Sequence, residues 1–246
     1  MAAAVIRAVL FDLDDTLFAH RGAVEAGILA HLDAIGTVVE DRAATLEQWR
    51  DLEELHYPRY LAGELGYLEQ RRVRARGLMS ALGGSLDGDA RADDWWSGYH
   101  REYRNAWRLH DDALPCLDTL RDRIPGVKLG IITNGELDFQ MTRLDATRLG
   151  ERMDVIVASG DVGVTKPDRR IFELACERLG SLPSDAVYVG DRLRTDAIGA
   201  AAAGLRGIWL DRPGEESDPA DLREAEDLGV VRIRSLAELP VVVAAP

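Results

Sequence analysis

The feature that most constrains the fold of this chain is an alternation of short apolar segments with amphipathic ones from about residue 114 onward. The apolar segments include "GIIT", "VIVAS" and "AVYVG", whose β-branched residues are typical of buried strands. Between them lie helix-like stretches such as "DRRIFELACERLG", which places four apolar residues on one side, namely Ile171, Phe172, Ala175 and Leu179. The stretch "TDAIGAAAAG" is predicted to be a helix as well. Because strands that alternate with helices form βαβ units, the sequence predicts a parallel sheet with helices on both faces.

A further strand is predicted at residues 5–11, ahead of a long segment of different character. Between residues 22 and 110 the sequence contains several amphipathic helical stretches and no good strand. The simplest architecture is therefore an α/β core, residues 1–18 and 112–246, interrupted by an all-helical insertion at residues 19–111. The stretch "RPGEESDPAD", residues 212–221, is predicted to be a surface loop.

Composition excludes several functional classes. The net charge of −13 argues against nucleic acid or an anionic membrane as a partner, because polyphosphate and acidic headgroups attract basic proteins. The apolar N-terminus is interrupted by Arg7, and no apolar run approaches the ~20 residues that a membrane helix needs, so a cytoplasmic location is expected. The two cysteines form no CxxC pair, so neither a zinc site nor a redox dithiol is predicted.

Polar residues follow the predicted strands at the sheet edge where open α/β proteins bind ligands. These residues are Asp12 and Asp14 after the first strand, Thr133-Asn134-Gly135 after "LGII", Lys166 after "VIVAS", and Asp191 and Asp196 after "VYVG". A cluster of carboxylates suits a hard cation, most simply Mg²⁺, while the lysine, the hydroxyl and the amides suit a phosphate group. Of two carboxylates spaced i, i+2, one could attack phosphorus and the other could transfer the proton.

Four short motifs also resemble a known family. "DLDDTL", "TNG", "KP" and "GDRLRTD" appear in the order of the four motifs of the haloacid dehalogenase-like hydrolase superfamily. The resemblance implies a Rossmann-like core in which the helical insertion is a cap domain. It implies that Asp12 is the nucleophile that forms an aspartyl-phosphate, and that Asp14 is the general acid/base and a metal ligand through its backbone carbonyl. It implies that Thr133, Asn134 and Gly135 form the phosphate-binding motif and that Lys166 is a charge partner of the nucleophile and the phosphate. It also implies that Asp191 is a magnesium ligand and that Asp196 is a ligand or a partner of the ligands.

Within the family, the second carboxylate decides the reaction that is expected. A halide leaves without a proton, whereas an alkoxide needs one, so the presence of Asp14 favours a phosphatase over a dehalogenase. The expected activity is Mg²⁺-dependent hydrolysis of a small phosphate monoester, such as a sugar phosphate, a nucleotide or a phosphoglycolate-like compound, by a monomer or homodimer. A phosphomutase, or less favourably a dehalogenase, is the alternative. Arg192 stands where many members have serine, which leaves the substrate subgroup open.

The insertion contains one candidate for contact with the substrate. Arg72 is the arginine of "RRVRAR" that falls in register with Leu65, Leu68 and Met79. The tryptophans of the insertion, Trp95, Trp96 and Trp107, are expected to form its own core rather than to stack on a ligand.

Overall fold

The structure, a computed structural model, describes residues 6–212 and 217–244. The chain divides into two compact units, one comprising Met1–His20 with Arg108–Pro246 and the other Arg21–Trp107. We call them the sheet unit and the helical unit. The predicted boundaries, 18/19 and 111/112, differ from the observed ones by a few residues.

The sheet unit contains a six-stranded sheet in the order β3-β2-β1-β4-β5-β6, with all neighbours parallel. This confirms the predicted α/β fold. The strands are β1 (Ala8–Phe11), β2 (Lys128–Thr133), β3 (Val155–Ala158), β4 (Ala186–Gly190), β5 (Arg206–Leu210) and β6 (Val231–Ile233). Central strand β1 is wholly buried, and its last residue, Phe11, lies in register with Ile131 of β2 and Val189 of β4. The carboxyl ends of these three strands therefore meet at one edge.

The helices of the sheet unit alternate with its strands along the chain. They are α5 (Ala113–Arg123), α6 (Leu137–Thr147), α7 (Ser159–Val162), α8 (Arg169–Leu179), α9 (Gly199–Ala202), α10 (Pro219–Asp227) and α11 (Leu239–Ala244). Helix α8 shows why the sequence folds this way locally. It begins after Asp168, whose side chain accepts a hydrogen bond from the Arg170 N–H, and it ends at the left-handed Gly180. Its buried residues include Ile171 and Phe172, which pack with Leu10 of β1.

The helical unit is built from α1 (His20–Ala34), α2 (Arg42–Leu61), α3 (Tyr67–Ala81) and α4 (Asp89–Asn105). No strand occurs between residues 22 and 107, all of which the structure describes. Aromatic rings dominate its core: Trp49 packs against Trp95, Trp96 and Tyr99 at centroid distances of 5.8, 5.7 and 5.1 Å. Trp95 and Trp96 are thus core residues, as expected, and Trp107 packs on Tyr103 at 5.7 Å.

Two predictions about local structure were wrong. The stretch "TDAIGAAAAG" was predicted to be one α-helix, but a π-helix at Leu193–Ile198 precedes the short α9. The predicted loop at 212–221 contains the first turn of α10, because Asp218 caps the helix at the Ala220 N–H and Pro219 fits the first helical position. Residues 213–216 of that loop, and Val5 of the predicted first strand, lie outside the described residues.

No helix within the described ranges is both long and apolar enough to cross a membrane. The cytoplasmic location stays a prediction.

Strand β5 approaches the π-helix so closely that only glycine fits at position 207. A Cβ on Gly207 would lie 2.2 Å from the backbone oxygen of Ala197. We predict that Gly207→Ala lowers the free energy of unfolding by about 1–3 kcal/mol, because backbone atoms cannot yield as a flexible side chain does. Urea unfolding followed by circular dichroism measures this. Gly150→Ala is the matched control, since its Cβ would meet the Leu144 side chain at an ordinary 3.6 Å. An equal effect of both substitutions would contradict the close approach.

His31 makes the stability of the helical unit depend on pH. Its side chain is buried against Trp95, with ring centroids 4.7 Å apart, and neither ring nitrogen has a hydrogen-bond partner among the residues that the structure describes. Burial, reinforced by the charge of Arg101, lowers the pKa of His31 to about 4.

The sign of this pH dependence follows from proton uptake by the unfolded chain. Between pH 6.5 and pH 4 the unfolded state binds the His31 proton more readily than the folded state, so stability falls as the pH falls through this window. We predict a loss of about 2 kcal/mol between pH 7 and pH 5. Urea unfolding followed by tryptophan fluorescence at both pH values measures it. Between pH 7 and pH 5, the free energy of unfolding of His31→Phe should fall by about 2 kcal/mol less than that of the wild type. An equal fall in both proteins would show that His31 does not cause this pH dependence.

Candidate active site

The turn after β1 carries the first two carboxylates of the site along the chain, those of Asp12 and Asp14. The Asp12 N–H donates to the Val189 oxygen at 2.8 Å, which ties Asp12 to the end of β4. Asp15 has a left-handed backbone (φ 59°), a conformation that aspartate tolerates, and its N–H donates to the Phe18 oxygen at 2.7 Å. This tight turn leaves Asp12 buried and presents the partly exposed Asp14 two residues further on.

Lys166 lies at the centre of the charged cluster. Its Nζ is 2.5 Å from Asp12 Oδ1, 2.7 Å from Asp196 Oδ1 and 2.8 Å from the Tyr188 hydroxyl. All three donors of the ammonium are therefore used by the protein. The side chain is only 3% exposed, so these contacts replace its hydration.

Asn134 positions this lysine through the backbone. Its Nδ2 donates to the Lys166 oxygen at 3.0 Å, and its Oδ1 accepts from the Lys166 N–H at 2.8 Å. The Lys166–Pro167 peptide bond is cis. The side-chain amide of Asn134 is thus engaged in holding the lysine loop against the end of β2.

Asp191 and Asp196 follow β4. Asp196, on the π-helix, accepts hydrogen bonds from Lys166 and Tyr188 at Oδ1 and from the Arg192 N–H, 3.0 Å away, at Oδ2. Its carboxylate lies against Gly190, where a Cβ would come within 2.5 Å of Asp196 Oδ2. Together with Asp12, each of these aspartates offers a carboxylate oxygen, and all three oxygens lie within 4.8 Å of one another.

Electrostatics shows that the protein leaves negative charge in this cluster uncompensated. Burial, opposed by Lys166 and reinforced by Asp196, raises the pKa of Asp12 to about 7. Burial and the charges of Asp12 and Asp196 raise the pKa of Asp191 to about 8. Burial alone would lower the pKa of Lys166, but the two carboxylates beside it raise it above its ordinary value. Lys166 pairs with only two of the three carboxylates, those of Asp12 and Asp196.

This donor set fits a divalent metal ion. It consists of oxygen atoms from acidic side chains, which are the ligands of hard cations, and a dication would balance the excess negative charge. Asp12 and Asp191 are the better placed ligands, because both carboxylate oxygens of Asp196 already accept hydrogen bonds from the protein. The predicted use of the Asp14 backbone carbonyl as a ligand stays a prediction.

The three residues predicted to bind phosphate differ in whether they keep a hydrogen-bond donor that is not already used within the protein. The buried Thr133 hydroxyl accepts a hydrogen bond from Gln140 Nε2 at 3.1 Å, so its own hydrogen can still be donated to a ligand. The Gly135 N–H already donates to Ser159 Oγ at 3.0 Å, and the Asn134 side chain holds Lys166. That these residues bind phosphate stays a prediction, and the geometry favours Thr133.

Sequence reasoning did not identify Gln140, Arg143, Ser159 and Tyr188 as residues of the site. Tyr188 is buried under Lys166, with its hydroxyl 3.2 Å from the Ile132 oxygen as well as from Asp196 Oδ1, but within "AVYVG" it looked like any other strand residue. Arg143 lies on α6 with Nη1 2.5 Å from Asp14 Oδ1. One signal was present in the sequence: Gln140 and Arg143 are spaced i, i+3 on the helix after "TNG", and are polar residues on a side that is buried.

Arg72 is engaged within the helical unit. Its guanidinium donates to both carboxylate oxygens of Asp93, at 2.7 and 2.6 Å, and to Asp89 at 2.6 Å. These contacts account for its charge without a ligand, and the predicted contact of Arg72 with substrate stays a prediction.

Comparison with known proteins identifies relatives along most of the chain. The family model for haloacid dehalogenase-like hydrolases matches residues 6–204. A ribulose-1,5-bisphosphate 5-phosphatase from Halopiger xanaduensis is 33% identical over 217 residues, which cover 87% of this chain and 88% of that protein. A phosphoserine phosphatase from Thermus thermophilus is 31% identical over 251 residues, which cover 89% and 97%.

The fold has close structural counterparts as well. The HAD-hydrolase YfnB from Bacillus subtilis superposes with a TM-score of 0.75 and 22% identity, over 98% of this chain and 100% of that one. The match of the family model and the identity of the two phosphatases confirm the resemblance of the four motifs. The chain belongs to the haloacid dehalogenase-like hydrolase family, and its curated relatives are phosphatases.

Proposed function

We propose that this protein is a Mg²⁺-dependent phosphomonoesterase that acts on a small phosphorylated metabolite through an aspartyl-phosphate. The observation that carries the proposal is the arrangement of two carboxylates on one turn. Asp12 is buried and paired with Lys166 at 2.5 Å, whereas Asp14 is one-third exposed. The first arrangement suits a nucleophile that stays in place, and the second suits a group that exchanges protons with substrate and water.

The residues divide the reaction into two balanced steps. In the first, an Asp12 oxygen attacks phosphorus, the bond from phosphorus to the ester oxygen breaks, and Asp14 gives its proton to that oxygen, so that an alcohol leaves. In the second, Asp14 takes a proton from water, the water oxygen attacks phosphorus, and the bond to Asp12 breaks to release phosphate. Lys166 holds Asp12 in line, and Thr133 donates to a phosphate oxygen.

The side chains of Asp12 and Asp191 and the backbone carbonyl of Asp14 would hold the metal ion. When bound, Mg²⁺ supplies positive charge that balances the phosphate and the carboxylates. The raised pKa values of Asp12 and Asp191 support this assignment, because a dication beside these carboxylates would reduce their mutual repulsion.

The substrate class rests on the relatives and on Asp14. The relatives named above act on ribulose 1,5-bisphosphate and phosphoserine, both small phosphate esters with poor leaving groups. Such leaving groups require a proton donor, and Asp14 fills that position. A dehalogenase would have no use for it.

Activity of the purified protein tests this proposal. With Mg²⁺ we expect release of phosphate from 4-nitrophenyl phosphate and from at least one member of a panel of phosphorylated metabolites. Asp12→Asn should lower kcat by about three orders of magnitude or more, because the amide cannot serve as the nucleophile.

Asp15→Asn is the matched control for this prediction. It makes the same chemical change in the same turn, and asparagine also tolerates the left-handed backbone of position 15. We expect kcat within about threefold of wild type. Full activity of Asp12→Asn, or a wild type that releases no phosphate, would overturn the proposal. Isomerised sugar phosphates as the main product would indicate a phosphomutase.

Binding of Mg²⁺ should be visible in thermal stability. At a Mg²⁺ concentration about a hundredfold above its dissociation constant, we predict a rise in Tm of about 5 °C or more relative to EDTA. Asp191→Asn should abolish most of this shift. In EDTA the same variant should melt above the wild type, because one of the mutually repelling carboxylates is gone.

The control for the metal experiment is Asp145→Asn, which removes an exposed carboxylate of the sheet unit. It should respond to Mg²⁺ as the wild type does. Equal Mg²⁺ shifts in all three proteins would show that the ion binds elsewhere.

A further inference from the structure

We propose that Arg143 is a positioning residue that holds the carboxylate of Asp14 in the orientation needed for proton transfer. The inference rests on the function proposed above, and nothing in the four motifs points to this residue. Arg143 Nη1 lies 2.5 Å from Asp14 Oδ1. The contact joins the turn after β1 to α6, two elements of the sheet unit that are far apart in sequence.

The arginine is fixed more firmly than the aspartate that it contacts. The Arg143 side chain is 5% exposed and that of Asp14 is 33% exposed. The Arg143 guanidinium carbon lies 5.2 Å from the ring centroid of Phe18 and 4.5 Å from that of Phe139. Two aromatic rings thus confine a cation that presents a donor to Asp14.

A hydrogen-bonded chain extends this arrangement to the predicted phosphate site. Gln140 Nε2 donates to Thr133 Oγ1 at 3.1 Å, and Gln140 Oε1 lies 3.4 Å from Arg143 Nη1. Helix α6 therefore supports both the hydroxyl predicted to bind phosphate and the arginine that holds Asp14. A shared support keeps the distance between phosphate and proton donor constant.

The contact leaves one oxygen of Asp14 available for chemistry. Arg143 occupies Oδ1, and His20 Nδ1 is 4.0 Å from the same atom, beyond hydrogen-bond distance. Oδ2 accepts no hydrogen bond from the residues that the structure describes. It is therefore the oxygen that gives its proton to the leaving group in the first step and takes one from water in the second. Arg143 neither gives nor takes a proton.

Without this contact the Asp14 side chain would be free to rotate, because it lies on a turn and is partly exposed. Rotation about χ1 moves a carboxylate by several ångströms, and a displacement of about 1 Å can cost a hundredfold in rate. This loss of rate affects only the steps in which Asp14 transfers a proton. Loss of Arg143 should therefore slow esters with poor leaving groups more than esters with good ones.

A pair of aryl phosphates of similar shape isolates this effect. Phenol has a pKa of about 10, as in tyrosine, and phenolate leaves poorly without a proton. 4-Nitrophenol is much more acidic, and its anion leaves with little help. The quantity to measure is the ratio of kcat/KM for 4-nitrophenyl phosphate to kcat/KM for phenyl phosphate, with Mg²⁺ present. This constant reports the first step, in which the phenol departs.

In Arg143→Met we expect this ratio to rise by about tenfold or more, with circular dichroism and Tm confirming that the protein is folded. Arg143→Lys, which keeps the charge, should recover part of the change. Asp14→Asn should raise the ratio at least as much, and adding Arg143→Met to it should not raise the ratio further, because both residues act through one proton. Arg143→Gln, a neutral polar alternative, decides the matter if the methionine variant does not fold.

Arg74→Met is the matched control. Arg74 is also buried, with Nη2 3.2 Å from Glu53 Oε2 and the guanidinium carbon 4.7 Å from the Trp49 ring centroid, but it belongs to the helical unit. Any loss of activity there should affect both esters equally and leave the ratio unchanged.

The outcomes separate this inference from the proposed function. A wild type that hydrolyses neither ester ends the proposed function and the inference with it. A wild type that hydrolyses both, with folded Arg143 variants whose ratio equals that of wild type, overturns the inference alone. An additive effect in the Asp14→Asn background would also overturn it, since Arg143 would then act through a group other than Asp14.

Discussion

Three carboxylates, those of Asp12, Asp191 and Asp196, are drawn together at the end of a buried sheet, and the ammonium of Lys166 pairs with two of them, Asp12 and Asp196. Burial of each charge costs hydration, and one lysine cannot compensate three acids. The pKa values of Asp12 and Asp191, raised to about 7 and about 8 by burial and mutual repulsion, record that imbalance. The carboxylates at this edge therefore bind protons more readily than isolated carboxylates do. This oxygen-rich cluster fits a cation, which is the basis of the proposed metal site.

The neighbouring residues serve mainly to hold that cluster in place. Asn134 fastens the backbone of Lys166, and Gly190 leaves room for the carboxylate of Asp196. Tyr188 donates from beneath the cluster, and burial beside Asp196 raises its pKa well above the ordinary value, which keeps it neutral. Other groups keep capacity for a ligand, among them the Thr133 hydroxyl, Oδ2 of Asp14 and the carboxylates of Asp12 and Asp191. Several polar side chains of the four motifs thus hold other residues of the site in place, and the remaining ones are those for which contact with substrate or metal is proposed.

Much of this was predictable because short-range patterns carry it. The alternation of β-branched segments with amphipathic helices predicted the parallel sheet, and the acidic residues after "VLF" and "VYVG" predicted a charged edge. The π-helix at Leu193–Ile198 was missed because the spacing of its residues does not encode the wider turn. Arg143 was missed for a different reason. On α6 it is one more polar residue, and its meaning comes from a carboxylate 129 positions away.

The sequence by itself determined which chemical groups stand at the strand ends, because a strand must end where its apolar run ends and the next residue must face the sheet edge. It also determined the family, since four motifs that follow one another in a fixed order rarely occur together by chance. Only the tertiary structure decided how those groups share their hydrogen bonds. Whether Asn134 holds a lysine or meets a ligand, and whether Asp14 has a partner, depends on which atoms from distant segments come within about 3 Å of each other. Such distances follow from the packing of whole helices on the sheet, and local sequence does not specify that packing.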